Sequence, residues 1–187
     1  MASSETAIRI EPSTRADAAD IQAVARQAWE ITYRDLIPAA SRDTFLRQAY
    51  DLDFLQRLHA RDDVRGFIAR RGPQPVGFAM LSLGSPADDP PGAVLRSLYL
   101  LPEVQHFGCG RRLLQEVCAA ARASGAPFLW VAVHSDLSAA RTWYERQGFV
   151  YDGPAEILIG DAKIAEAVYR LPLGPESGSD GRLEARG

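Results

Sequence analysis

Two glycines separated by one residue stand at the head of an apolar-periodic stretch, in Gln105-His106-Phe107-Gly108-Cys109-Gly110-Arg111-Arg112-Leu113-Leu114, directly after a strand-like run from Val94 to Leu101. A strand-to-helix turn of this kind can hold a bulky anion with backbone alone. The glycines let the main chain approach closely, and the first turn of the helix directs free N–H groups and the positive end of its dipole at the same spot. Gly-x-Gly by itself is a weak signal, because glycines at such turns more often serve tight geometry than a ligand. The surrounding residues decide. A dinucleotide fingerprint requires a third glycine where Leu113 stands, and a Walker P-loop requires Gly-Lys-Ser/Thr where the chain reads Gly110-Arg111-Arg112.

A second cluster lies downstream: Ala139-Ala140-Arg141-Thr142-Trp143-Tyr144-Glu145-Arg146-Gln147-Gly148-Phe149. Tyr144 carries a phenol which, at its ordinary pKa of about 10, stays protonated at neutral pH and can protonate a departing thiolate. Read without the upstream glycines, Tyr144 is an amphipathic core residue with its hydroxyl on a wet rim. Arg111 and Arg112 can add charge beside an anion, or simply solvate a helix face. His134 ends the next strand-like run, where a neutral imidazole can accept a proton; a histidine at such a place is otherwise a capping or exposed residue. Asp136, Glu103 and the Asp51/Asp53 pair are weaker candidates for a base, and a water chain serves as well. His59 and His106 have no partner at ligand spacing, and Cys109 and Cys118 lack paired CxxC spacing, so no metal is expected.

From Leu98-Tyr99-Leu100-Leu101-Pro102 through Gln105-x-x-Gly108-x-Gly110 to Leu113-Leu114, and again in the Tyr144–Phe149 cluster, the chain resembles the GNAT superfamily of N-acetyltransferases. The resemblance covers about residues 8 to 173, with its specific motifs between Leu98 and Phe149. It implies acetyl-CoA as co-substrate, with the pyrophosphate cradled by the backbone of Gln105, His106, Phe107, Gly108, Cys109, Gly110, Arg111 and Arg112. It implies a central strand that bulges and splays from its neighbour, so that the pantetheine arm runs along the backbone of Leu98, Tyr99 and Leu100, with the Leu100 N–H meeting the thioester oxygen. It implies Tyr144 as general acid, and an acceptor site walled by the first helices, where Trp29 and Tyr33 fall. Two positions depart from the family pattern. Leu137 occupies the slot of an asparagine that contacts the cofactor arm, and Val94 occupies the slot of a glutamate that deprotonates the amine.

The elements that must position these groups follow from periodicity. Ile8-Arg9-Ile10 reads as a strand, and Thr14-x-x-Asp17 as a capping box opening a helix whose stripe is Ile21, Val24, Ala25, Ala28, Trp29 and Thr32. Pro38 ends that run. Ser41 or Asp43 then starts a helix with Phe45, Leu46 and Ala49, and Asp51 caps one with Phe54, Leu55 and Leu58. Arg65–Arg71 and Pro75–Leu83 predict a hairpin about Gly72-Pro73-Gln74, and Gly84–Gly92 an exposed connection. The cradle helix runs to about Ser124, Phe128–Val133 is a buried strand, and Asp136 or Ser138 caps a helix that Gly148 stops. Ile157–Ile159 and Ile164–Leu173 form a last hairpin around Gly160-Asp161. The expected fold is α/β, a mixed, mostly antiparallel sheet of about seven strands with about four helices. Residues 1–7 are expected to be flexible, 8–173 to form one domain, and 174–187 to be a disordered tail.

The 187 residues, 47% hydrophobic and 24% charged, suffice for one substantial core. A net charge of −3 gives no basic footprint for nucleic acid, and the absence of an apolar leader or span predicts a cytoplasmic protein without a membrane partner. The functional expectation is transfer of an acetyl group from acetyl-CoA to a small primary amine, polyamine or peptide N-terminus by direct attack in a ternary complex. The alternative is a non-catalytic acyl-CoA-binding or regulatory domain of the same fold. Family members are often dimers, and the resemblance extends that expectation of a homodimer to this chain.

Overall fold

The computed structural model describes residues 7–84 and 91–174; almost all of the expected flexible N-terminus and tail, and most of the Gly84–Gly92 connection, lie outside the described residues. Among the described residues seven strands and five α-helices follow one another in the order β1 (Ile8–Pro12), α1 (Ala18–Tyr33), α2 (Ala39–Ala49), α3 (Leu52–Leu58), β2 (Val64–Arg71), β3 (Gln74–Ser82), β4 (Ala93–Leu100), α4 (Cys109–Ala123), β5 (Phe128–His134), α5 (Ser138–Arg146), β6 (Val150–Ile159) and β7 (Ala162–Pro172). They build one mixed sheet in the order β1-β2-β3-β4-β5-β7-β6, in which only β4 and β5 run parallel. The fold class is the one expected, with five α-helices rather than about four.

Each face of the sheet buries its own apolar layer. On one side Leu95, Leu129, Val131 and Tyr169 meet Leu113, Leu114 and Val117 of α4 and Tyr144 of α5. On the other, Ile68, Phe78 and Met80 meet Ile21, Val24 and Trp29 of α1 and Leu55 of α3. At about 1.5–3 kcal/mol for each fully buried large apolar side chain, these two layers are the main stabilising term.

Local signals placed most helix starts. Thr14 accepts from the Ala16 N–H and Asp17 accepts from the Thr14 N–H at 2.7 Å, a capping box on the short 3-10 turn Arg15–Asp17 that leads into α1. Asp51 caps α3 by accepting from the Phe54 N–H at 2.9 Å. Several details differ from expectation, three of them at the starts of elements. Helix α2 begins at Ala39, directly after Pro38, so Ser41 lies inside its first turn and instead donates to Asp161 Oδ1 at 2.6 Å. Helix α5 has Leu137 at its N-cap position and no side-chain cap; neither Asp136 nor Ser138 supplies one. Strand β6 starts at Val150, seven residues earlier than Ile157, because Asp152-Gly153-Pro154 is absorbed as an irregularity between Tyr151 and Gly153 in an edge strand.

Strand β4 is the element that makes the site. Leu95 opposes Leu81 and Ser97 opposes Met80, which leaves Arg96 as an extra residue, a β-bulge. The bulge shifts the alternation, so that Ser97 and Tyr99 face the α1–α3 layer while Leu95, Leu98 and Leu100 face α4. Strand β4 pairs with β5 only at Ala93↔Leu129 and Val94↔Trp130. Beyond Val94 the two strands part, and β5 continues with β7 alone.

Candidate active site

The parting of β4 from β5 leaves hydrogen-bonding groups free along one edge. The Leu101 N–H donates to the Val76 carbonyl at 2.9 Å, and Tyr99 opposes Phe78 two residues earlier. In an antiparallel ladder alternate residues point their main-chain groups at the partner. Leu98 and Leu100 therefore turn their N–H groups away from β3, into the opening. Their side chains pack against the core beneath, as does that of Tyr99 on the other face. The backbone alone is presented.

The cradle follows at once. After a 3-10 turn, Pro102–Val104, the chain runs extended at Gln105, left-handed at His106 (φ 69°) and left-handed again at Gly108 (φ 73°), and α4 starts at Cys109. Gln105 Nε2 donates to the Leu100 carbonyl at 3.3 Å, tying the loop to the strand. Phe107 is 73% exposed, whereas Cys109 and Gly110 are buried. Gly110 rests on the strand itself: a β-carbon there would stand 3.2 Å from Leu100 Cδ1 and 3.3 Å from Trp143 Cζ2. The first turn of α4, with its unpaired N–H groups, thus begins against the end of β4, where Gly110 rests on the Leu100 side chain. Arg112 donates to the Ile8 carbonyl at 2.9 Å and so ties α4 to β1; Arg111 is exposed at the first turn. Burial pushes the Cys109 thiol up, with Arg112 opposing, which keeps it from being a thiolate at neutral pH.

Tyr144 reaches the same opening from α5. It is buried, held edge-on by Trp143 and Phe149 with ring centroids 4.9 and 5.2 Å away. Burial pushes its phenol far above the ordinary range, and the neighbouring Tyr33 adds to the shift. Tyr33, the last residue of α1, stands at the junction of the two sides: its ring is 4.5 Å from Trp29 and 6.3 Å from His134, and its hydroxyl interacts with that of Tyr99. Trp29 is buried against Phe45, and its indole N–H lies beside the Tyr50 and Tyr99 hydroxyls without an acceptor in hydrogen-bonding geometry. His134 is buried, and its Nδ1 accepts from the Asp136 N–H at 3.1 Å. The structure therefore gathers Trp29, Tyr33, Tyr99 and His134 on the α1–α2 face of the parting, Tyr144 on the opposite side, and the cradle at its end.

Three residues at this place are not among those the sequence pattern points to. Tyr50 meets Ser97 at 3.0 Å beneath Tyr99, a contact set by the bulge. The third is Glu166 on β7, directly across from His134. A signal for it exists: in Ile164-Ala165-Glu166-Ala167-Val168 strand alternation puts the carboxylate on the same face as the buried Ile164. Among the described residues no group of three or more His, Cys, Asp or Glu is placed to hold a metal ion, and no helix is long and apolar enough to cross a membrane.

A family model described as Acetyltransferase (GNAT) family matches residues 26–149, from α1 through the cradle to Phe149. The chain belongs to the GNAT acetyltransferase family. It is accordingly an acyltransferase. No curated protein matches its sequence. Among solved structures it is similar to the PaiA N-acetyltransferase of Thermoplasma acidophilum in complex with coenzyme A, at 22% identity and a TM-score of 0.77 over 89% of this chain and 99% of that one. It is similar to YncA, a putative acetyltransferase from Salmonella typhimurium with its cofactor acetyl-CoA, at 19% identity and a TM-score of 0.69 over 94% of this chain and 99% of the other. The ribosomal-protein-S18-alanine N-acetyltransferase of Escherichia coli shares 16% identity at a TM-score of 0.66, over 92% of this chain and 98% of its own. At these identities the likeness is one of fold, and the acetyltransferase shares it over nearly the whole length of each relative.

Proposed function

We propose that this acetyltransferase moves the acetyl group of acetyl-CoA to a primary amine by direct attack within a ternary complex. The observation that carries this reading is the parting of β4 from β5 beyond Val94, which leaves the Leu98 and Leu100 N–H groups unpaired in line with the first turn of α4. A long ligand with amide groups in its middle and a pyrophosphate at one end fits that sequence of donors. Acetyl-CoA supplies an acyl group activated as a thioester. The N–H groups from His106 to Arg111 hold its phosphates, those of Gln105 and Arg112 being donated to the Pro102 and Gly108 carbonyls, and Arg111, at the exposed first turn, adds a screened charge. The Leu98 and Leu100 main chain orients the arm, and the Leu100 N–H polarises the carbonyl. Val94 and Leu137 contribute no polar contact of their own.

Tyr144 then delivers a proton to the departing sulfur. Its raised proton affinity keeps it protonated across the neutral range, and Trp143 and Phe149 fix its ring. The acceptor arrives from the α1–α2 face, past Trp29 and Tyr33. No acyl-cysteine is invoked, since Cys109 is buried with its thiol protonated. The test is the melting temperature with and without acetyl-CoA, followed by thiol release on polyamines, aminoglycosides, amino acids and peptides with wild type and Tyr144→Phe. Stabilisation together with turnover that drops about 10²-fold or more in the variant is expected. Absence of any shift with acetyl-CoA would overturn the cradle.

A further inference from the structure

Glu166 is a carboxylate that the fold does not explain. It is half-buried in the middle of β7, between strands β5 and β6, yet among the described residues its side chain has neither a hydrogen bond nor an ion pair. Other inward-facing charges near the sheet are held. Arg70 is ringed by Glu11, Asp17 and Asp20, Arg141 donates to Tyr169 Oη and the Ser135 carbonyl, and Arg42 donates to three carbonyls at the end of α1 and in the turn that follows it. A part-desolvated charge left without a partner lowers stability, so a fold keeps one where a ligand completes it.

Its position says which ligand. Register puts Glu166 directly across from His134 on the same face of the sheet, and His134 lies 6.3 Å, ring to ring, from Tyr33. That face is the acceptor side of the opening. The negative charge of Glu166 is felt at the Tyr33 phenol, whose proton affinity it raises after burial has done so. The titratable groups that face it are Tyr33 from α1 and His134 from β5, with Tyr144 beyond Tyr33. The His134 Nδ1 lone pair is committed to the Asp136 N–H, so the neutral ring carries its proton on Nε2 and is a donor toward the site. Val94 supplies no carboxylate. Among these groups Glu166 alone is an anion at neutral pH with free lone pairs.

We infer that Glu166 binds the ammonium group of the acceptor and takes its proton, which makes the acceptor a cationic primary amine entering along Tyr33. This rests on the transfer reading above. The ammonium gives one proton to a Glu166 oxygen; the freed nitrogen lone pair forms the C–N bond and the C–S bond breaks. Tyr144 gives its proton to sulfur and regains one from the attacking nitrogen. The net change is ammonium plus thioester to amide, thiol and one proton, which Glu166 passes to solvent through its exposed side. Burial raises the Glu166 carboxyl above its ordinary range, which suits it to the exchange.

The test uses the full chain saturated with coenzyme A, titrated with 2-phenylethylamine and with its uncharged counterpart 2-phenylethanol, followed by amide chemical shifts. The amine is expected to shift resonances around Tyr33, His134 and Glu166 while the alcohol does not. Glu166→Gln should weaken the amine at least tenfold and remove the loss of affinity seen on acidification, and Glu166→Asp should restore part of it. The pH dependence is read as the difference between wild type and Glu166→Gln. Equal affinity in wild type and Glu166→Gln, or no charge-dependent binding in wild type, would overturn the inference. Stabilisation by acetyl-CoA is read on the same protein preparations before coenzyme A is added. If it persists in that case, only the role of Glu166 has failed; if wild type lacks it, the transfer reading itself has failed.

Discussion

Gly110 and Leu100 touch across the junction of cradle and strand: a methyl group on Gly110 would lie 3.2 Å from Leu100 Cδ1, with the Trp143 ring 3.3 Å away on its other side. The Leu100 side chain can turn aside, but Trp143 is itself packed on Tyr144 and has less room. Gly110→Ala gains up to about 1 kcal/mol of helix propensity and meets an overpacking cost of about 1–3 kcal/mol. The expected outcome is a small fall in melting temperature and a several-fold rise in KM for acetyl-CoA, because relief of the contact moves α4 relative to the β4 edge. Calorimetric titration of coenzyme A into the variant checks it; unchanged affinity would show that the two donors need not be in register.

Gly108 presents the opposite case. Its left-handed φ of 73° forbids an ordinary side chain at low cost, but the space around its α-carbon is open. Gly108→Ala should lower stability by about 1 kcal/mol through backbone strain alone, and Gly108→Asn should recover much of that, since asparagine tolerates this conformation. Chemical denaturation of the two variants separates strain from clash. A clash would instead make the larger asparagine the worse of the two.

What the sequence discloses about this molecule is what local pattern can carry. Alternation and apolar stripes mark the strands and helices in order, and Gly108-x-Gly110 marks the strand-to-helix turn without reference to anything distant in the chain. Contacts that join distant segments are not legible in this way. Arg112 has the look of a charge for an anion, yet it donates to the carbonyl of Ile8, 104 residues away. Ser41 has the look of a helix cap, yet it bonds Asp161, 120 residues away. The bulge at Arg96 is set by pairing with β3, and it is what turns Ser97 and Tyr99 toward α1. Glu166 acquires its meaning only when β7 lies beside β5 and brings it to His134 and Tyr33.

The buried phenols predict the behaviour of the fold in alkali. Burial, opposed by the Ser97 hydroxyl, pushes Tyr50 from 10.0 up to about 12, and burial raises Tyr99 and Tyr144 further. A raised pKa in the folded state means that the contribution is complete below pH 10 and is lost as pH rises through the folded value. Between pH 10 and about 12 the unfolded chain releases a proton that Tyr50 retains, so stability falls by about 1.4 kcal/mol per pH unit for this residue alone. Denaturant titrations at half-unit steps from pH 8 to 11.5 should show the decline beginning near pH 10. Tyr50→Phe loses about 1 kcal/mol at pH 8 with its Ser97 bond and then declines less steeply by one proton's worth. An identical slope in the variant would mean that Tyr50 titrates normally.

Arg111 and Arg112 are neighbours in sequence with different tasks in the structure. Arg112 is engaged with the Ile8 carbonyl, so Arg112→Ala should cost about 1 kcal/mol of stability through the lost tie between α4 and β1 and change acetyl-CoA affinity by less than about twofold. Arg111 stands exposed in the first turn of α4; in the proposed complex its charge meets the phosphates against full solvent screening, worth about 1 kcal/mol. Arg111→Ala should therefore leave the melting temperature of the free protein nearly unchanged and weaken acetyl-CoA about fivefold at low salt, a difference that shrinks as ionic strength rises. Thermal shift and calorimetric titration at two salt concentrations distinguish the pair. If Arg112→Ala proves the more damaging to affinity, the guanidinium leaves Ile8 when the phosphates arrive, and β1 is coupled to the occupancy of the cradle.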